Sequence, residues 1–86
     1  MVESYVLVKI STQMELCGFN RSVVQKIGSL QGVESADLLF GDYDAIIKLN
    51  VPKIHDVENI VIEEISMIEG VESTVTLLCV GEEILE

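Results

Sequence analysis

The side chains that could carry covalent chemistry in this sequence are few and stand apart. His55 is the single histidine, Arg21 the single arginine, and Cys17 and Cys79 are the two cysteines. A zinc or copper centre needs Cys and His ligands at short spacing, and no CxxC occurs. A nucleophile needs a base within hydrogen-bond reach, and His55, near the start of a helical pattern, reads as a solvated residue. Two cysteines alone do not form a disulfide framework. The composition looks cytosolic, where thiols stay reduced, so Cys79 reads as a small buried hydrophobe in a strand. Glu63-Glu64, Glu69, Glu72 and Glu82-Glu83 read as solvated faces, and Met1, Met14 and Met67 carry no cofactor signal. Gly41-Asp42-Tyr43-Asp44 has the residues of a tight turn, chosen for backbone reasons, with Tyr43 as an anchor at a sheet edge or subunit contact. Thr74 and Thr76 share one strand face by period-two spacing, and β-propensity accounts for them. No catalytic residue, metal or cofactor is expected, and the chain is not read as an enzyme.

The scaffold holding these residues is small and oily. The chain has 86 residues, 49% of them apolar, with 5 Lys+Arg against 15 Asp+Glu and a net charge of −10. Residues 1–86 are read as a single domain. The charge balance disfavours nucleic acid, whose binding rests on cations meeting phosphates, and anionic membrane surfaces. No apolar run approaches the roughly 20 residues of a membrane helix, and Met1-Val2-Glu3-Ser4 is not a signal peptide. The expected location is cytoplasmic.

An internal repeat organises the chain. Val23 to Ser35 aligns with Val61 to Ser73, 38 positions later, with Val23, Ile27, Gly32, Val33, Glu34 and Ser35 recurring as identities. Each copy opens as an amphipathic helix: Val23, Ile27 and Leu30 in the first, and Ile54, Val57, Val61, Ile65 and Ile68 in the second. Asn20 suits an N-cap, Thr12-x-x-Glu15 a capping box, Pro52 a helix start, and Gly32 and Gly70 the stops. Strand-like runs flank the helices at Ser4–Ile10, Ser35–Phe40, Ala45–Val51 and Ser73–Val80, with Gly41–Asp44 as a hairpin. The order β-α-β-β-α-β with right-handed crossovers predicts an α+β, ferredoxin-like sandwich: a four-stranded antiparallel sheet with two helices on one face.

The other face has no cover. Antiparallel strands exposed on one side should alternate apolar and polar residues. Here Tyr5, Leu7 and Lys9 oppose Val6, Val8 and Ile10, while Leu38-Leu39-Phe40 and Val75 to Val80 run on without a charge. About six large apolar side chains are expected on the helix-free face at ~1.5–3 kcal/mol each when covered, and such patches rarely stay bare on monomers. The expectation is a homodimer or higher homo-oligomer through that face. The segment Gly81 to Glu86, with three glutamates, would be a poor lid.

The ordered set Gly32-Val33, Gly41-Asp42-Tyr43-Asp44 and Gly70-Val71-Glu72-Ser73-Thr74-Val75-Thr76 resembles the effector (RAM) domain of Lrp/AsnC transcription regulators. Here Met1 leads straight into the first strand, so the chain looks like a stand-alone version without a helix-turn-helix. The resemblance implies amino-acid binding at Gly41, Asp42, Tyr43, Asp44, Thr74 and Thr76, where subunits meet. An aspartate would accept from the ligand ammonium, the Gly41 amide would approach its carboxylate, and the Thr74 and Thr76 hydroxyls would donate or accept as required. It also implies a ring of dimers, and association with full-length regulators of the same family. The alternatives are a structural oligomerisation domain without ligand, and a cofactor-free dimeric enzyme of ferredoxin-like fold, for which Arg21 and His55 supply little.

Overall fold

The computed structural model describes residues 1–11 and 17–80, with side chains from Asn20 in the second stretch. The elements are β1 (Val2–Ile10), α1 (Cys17–Gly28), β2 (Val33–Leu38), β3 (Ala45–Val51), α2 (Ile54–Asn59), running directly into a π-helical turn (Ile60–Ile65), and β4 (Val71–Leu78). The sheet is antiparallel throughout, with strand order β2-β3-β1-β4. This is the expected ferredoxin-like architecture. The proposed capping box at Thr12–Glu15 and the tail from Gly81 lie outside the described residues.

β1 and β3 form the centre, and their side chains alternate strictly. Ser4, Val6, Val8 and Ile10, with Ala45, Ile47, Leu49 and Val51, are buried under the helices. Their neighbours Tyr5, Leu7, Ile46 and Lys48 are half-buried on the other face. Two valines and an isoleucine of α1 (Val23, Val24, Ile27) and Val57, Ile60, Val61 and Ile65 of the second helical stretch complete the core. Ser4 is the polar member of this buried layer, and its hydroxyl is satisfied by donating to the Leu77 carbonyl at 3.0 Å.

The sequence repeat is a structural repeat of one corner. After α1 the chain turns with Leu30 N–H donating to the Ile27 carbonyl and Val33 N–H to the Leu30 carbonyl. After the π turn, Ile68 donates to Ile65 and Val71 to Ile68. Gly32 and Gly70 follow with φ of 97° and 103°, and their carbonyls accept from Asn50 and Ser11 N–H. Each corner then enters its strand through a register irregularity. Val33 pairs with Leu49 and Ser35 with Lys48; Val71 pairs with Ile10 and Ser73 with Lys9. The bulge therefore leaves Glu34 and Glu72, the third residue of each Gly-Val-Glu-Ser run, outside the ladder.

Several local expectations need correction. Asn20 is the fourth residue of α1, not its cap, because the helix begins at Cys17. Pro52 precedes the second helix rather than starting it. Lys53 is the N-cap, and its N–H donates to the Asp56 carboxylate at 3.1 Å. The glycines do not sit directly behind the helices, since α1 ends at Gly28 and a further turn intervenes. Ile54 is exposed at the start of the helix, whereas Ile60, three residues after Val57, lies on the buried stripe; the turn that follows is wide, with Ser66 N–H donating to the Val61 carbonyl five residues back. Cys79 is not a buried hydrophobe. It is a free, exposed thiol just past the end of β4, which is an edge strand.

Gly32 is the most constrained point of the corner. A Cβ there would lie 2.8 Å from Ile60 Cδ1 and 3.0 Å from Val51 Cγ1, on top of the positive φ. At Gly41, φ is 148° but a Cβ would meet nothing within 4 Å. Gly32→Ala should therefore lower stability by about 2–4 kcal/mol, from backbone strain plus overpacking. Gly41→Ala should lose about 1–2 kcal/mol, from strain alone. Urea denaturation of both variants checks the order; equal losses would contradict the packing account.

Candidate functional site

The hairpin residues Gly41 to Asp44 form the turn between β2 and β3. The conformation of Gly41 selects glycine on backbone grounds. Asp44 is tied down at three points. Its N–H donates to the Val8 carbonyl at 2.9 Å, its carbonyl accepts from Leu39 N–H at 2.8 Å, and its Oδ2 accepts from Ile10 N–H at 2.7 Å. The carboxylate thus continues the β1–β3 ladder one step beyond its last paired residues and holds the hairpin against β1. Asp42 is exposed, with its carbonyl accepting from Lys9 Nζ at 3.4 Å, and Tyr43 is half-buried.

Thr74 and Thr76 do share one face. Thr74 lies opposite Val8 and Thr76 opposite Val6, which places both on the helix side of β4. The helices leave Thr76 exposed and Thr74 half-covered at this edge. The row Ala45–Val8–Thr74 runs across three strands, so Thr74 is about 10 Å from the start of β3 at ordinary strand spacing. The hairpin and Thr74 therefore occupy the same end of the sheet, separated by β1. Thr76 lies two residues further from that end. Within one subunit the six residues flank one end of the sheet without converging on a common point. Among the described residues, no group of three or more His, Cys, Asp or Glu side chains could hold a metal ion.

The opposite face carries the expected apolar patch and something the sequence reading missed. Tyr5 pairs with Leu77, and Leu7 with both Ile46 and Val75, so these five side chains share the helix-free face. Val75 and Leu77 are 38% and 51% exposed. At one end of the patch stands a polar cluster. Lys48 Nζ lies 3.1 Å from Glu34 and 3.7 Å from Glu3, and 5.9 Å from the centre of the Tyr5 ring. Asn50 Nδ2 donates to Glu34 at 3.2 Å, while Asn50 Oδ1, shielded from solvent, accepts no hydrogen bond from the described residues. The hydrogen bond from Lys48, helped by Asn50 and by the charge of Lys48, holds the Glu34 carboxyl below the usual glutamate range. The same contact raises Lys48. The available signal was the repeated Gly-Val-Glu-Ser: its bulge turns Glu34 toward Lys48, which simple strand alternation does not foresee.

Comparison with known proteins gives the chain its relatives. Residues 5–84 match the family model described as the Lrp/AsnC ligand binding domain. An uncharacterised helix-turn-helix-type transcriptional regulator of Pyrococcus furiosus is 28% identical over 75 residues, covering 87% of this chain and 49% of the relative. The chain thus spans about half the length of that curated relative. Among solved structures, TTHA0845 of Thermus thermophilus superposes with a TM-score of 0.83 at 23% identity, over 94% of this chain and 95% of that one. A transcriptional regulator of Neisseria meningitidis, solved as its L-Met complex, superposes with a TM-score of 0.78 at 14% identity, over 94% of this chain and 51% of that one. At these identities the structures bear on the fold.

The polar cluster has a pH signature. Glu34, with its pKa depressed in the fold, adds stability above the ordinary glutamate range and loses it as pH falls through the lowered value. Lys48, with its pKa raised, adds stability below the ordinary lysine range and loses it as pH rises through the raised value. Both contributions are present near neutral pH and small, because the pair is partly exposed. In Lys48→Met, the Glu34 carboxyl should titrate at higher pH than in the unaltered protein, as followed by side-chain NMR. An unchanged titration would show that Lys48 does not hold it.

Proposed function

We propose that this chain, which belongs to the Lrp/AsnC ligand-binding-domain family, is a non-enzymatic module that binds a free amino acid and assembles through its open sheet face. The observation that carries the reading is the match to that family's ligand-binding domain along nearly the whole chain. It is supported by superposition on a regulator crystallised with L-methionine. Gly41, Asp42, Tyr43, Asp44, Thr74 and Thr76 form the proposed site, completed where subunits meet. Asp42 is the acceptor for the ligand ammonium, since the Asp44 carboxylate already receives Ile10 N–H. Thr74 sits at the same sheet end as the hairpin and supplies a hydroxyl.

Self-association rests on the five apolar side chains that the helices leave uncovered. Each gains up to about 1.5–3 kcal/mol as it passes from full exposure to burial, and a second copy is the cover a two-fold supplies. Dimers then join into rings and combine with full-length regulators of the family in the cytoplasm. No helix among the described residues is long and apolar enough to cross a membrane.

A second reading has its own support. The φ of Gly41 and the hydrogen bonds of Asp44 are accounted for by the hairpin alone, which favours an oligomerisation domain without ligand. Isothermal titration of the assembled protein against the twenty amino acids separates the two. Binding of at least one, weakened about tenfold or more by Asp42→Asn through loss of a charged acceptor, supports the sensor. No heat with any of them leaves the structural reading.

A further inference from the structure

We infer that Lys9 is the cation that holds the ligand carboxylate, so that Lys9 and Asp42 at one hairpin grip the two charges of a free α-amino acid. This rests on the amino-acid-binding reading proposed above. It adds a residue outside the six named there and the ligand class that residue selects: amino acids with a free carboxylate, not their amides.

Charge sets the problem. With 15 acids against 5 bases and a net charge of −10, the field of the chain repels an anion. A free amino acid brings a carboxylate as well as an ammonium, and the hairpin itself offers two acids, Asp42 and Asp44. The Gly41 amide is a neutral donor. A carboxylate bound beside those acids needs a positive charge at short range. The five cations are spread over the molecule. Arg21 and Lys26 lie on α1, Lys53 caps α2, and Lys48 is engaged with Glu34 at 3.1 Å and Glu3 at 3.7 Å. Lys9 follows Val8, the last residue of β1 paired with β3, and its Nζ reaches the Asp42 carbonyl at 3.4 Å. The ion pairs among the described residues are made by Lys48, not by Lys9. An ammonium has three donors, and this long contact to a neutral oxygen occupies one of them.

The two charges are within reach of one small molecule. The Asp42 carboxylate belongs to the residue whose carbonyl Lys9 touches, and covalent geometry keeps it within about 5 Å of that carbonyl. An amino acid carries its ammonium and its carboxylate on neighbouring carbons, so it spans the gap with the ammonium on Asp42 and the carboxylate on Lys9. Asp44 does not compete for the ammonium, because its Oδ2 already accepts Ile10 N–H at 2.7 Å. The hairpin is open beside Gly41, where a Cβ would meet nothing within 4 Å. Lys9 approaches from the helix-free side, whereas Thr74, opposite Val8, lies on the helix side. The six residues named above do not converge within one subunit; Lys9 and Asp42 do.

The test is isothermal titration of the full chain with the twenty free amino acids and their α-carboxamides, at about pH 6, where the α-ammonium of an amide is still charged. At least one free amino acid should bind about tenfold or more tighter than its amide, as loss of a charge-assisted contact requires. In Lys9→Gln that preference should shrink to about threefold or less, because the free acid weakens and the amide does not. Lys9→Arg should restore it. Asp42→Asn should weaken both forms and keep the preference, since it acts on the ammonium they share. Three results overturn the assignment while amino-acid binding stands: acid and amide bind the unaltered protein alike; the preference survives in Lys9→Gln, which leaves the carboxylate to the Gly41 amide; or Lys9→Gln weakens both forms equally, as a strut for the hairpin would. No heat with any compound overturns the binding reading and the role of Lys9 together. Circular dichroism and sedimentation check fold and assembly. Lys9→Met, which keeps the aliphatic stem, replaces Lys9→Gln if that variant does not fold, and the comparison of acid with amide in the unaltered protein needs no variant.

Discussion

The pairing of β1 with β3, from Val2 opposite Val51 to Val8 opposite Ala45, decides what each side of the sheet can do. A slip of one residue would carry Val6 and Val8 out to solvent and bring Tyr5, Leu7 and Lys9 under the helices. A lysine ammonium in that layer would be buried without a partner, at heavy cost. At the hairpin end the Asp44 carboxylate takes Ile10 N–H and pins this register, while at the far end of β3 Asn50 N–H donates to the Gly32 carbonyl and pins β2 on β3. The turn residue with the most suggestive side chain is thus also a clamp on the central strands, and the corner glycine fixes where β2 begins.

Much of this was legible in the residues. The duplicated Gly-Val-Glu-Ser marked two equivalent corners, and both proved to share hydrogen bonds, backbone angles and a strand irregularity. Ala45–Val51 was read with its observed bounds because Ala45, Ile47, Leu49 and Val51 recur at every second position between a turn and a proline. The failures have local causes. Strand alternation assumes a regular pleat, so a bulge hid the meeting of Glu34 with Lys48. The helical stripe was followed at four-residue steps from Val57 to Val61 and Ile65, so Ile60, three residues after Val57 on the same face, went unnoticed, and Ile54 in the exposed first turn was counted with it. Cys79 was read by residue type, whereas its exposure depends on β4 being an edge. Pattern also could not show that Thr74 and Thr76 turn toward the helices rather than toward the apolar face.

The open face is not uniformly oily. Its apolar centre is bounded by Glu3, Lys48, Glu34 and Asn50 at one end and Lys9 at the other. An all-apolar surface would gain more from burial but would accept many registers and many partners. Fixed charges around such a centre reduce that freedom, because a misplaced partner leaves a charge opposed or unpaired. Asn50, whose amide donates to Glu34 and whose carbonyl oxygen has no partner among the described residues, sits within this polar end.

The strand order β2-β3-β1-β4 interleaves the two repeats, so β1 and β2 of the first half never touch, nor do β3 and β4 of the second. Neither half can close a sheet alone despite sharing the same corner. Only the β2–β3 hairpin joins neighbours in sequence; β1 must wait for a strand that follows a helix, a corner and a turn. The chain consequently gains its central ladder only after long loops have closed. Kinetics should then be dominated by that late event, and amide hydrogens on β1 should exchange only when the whole molecule opens.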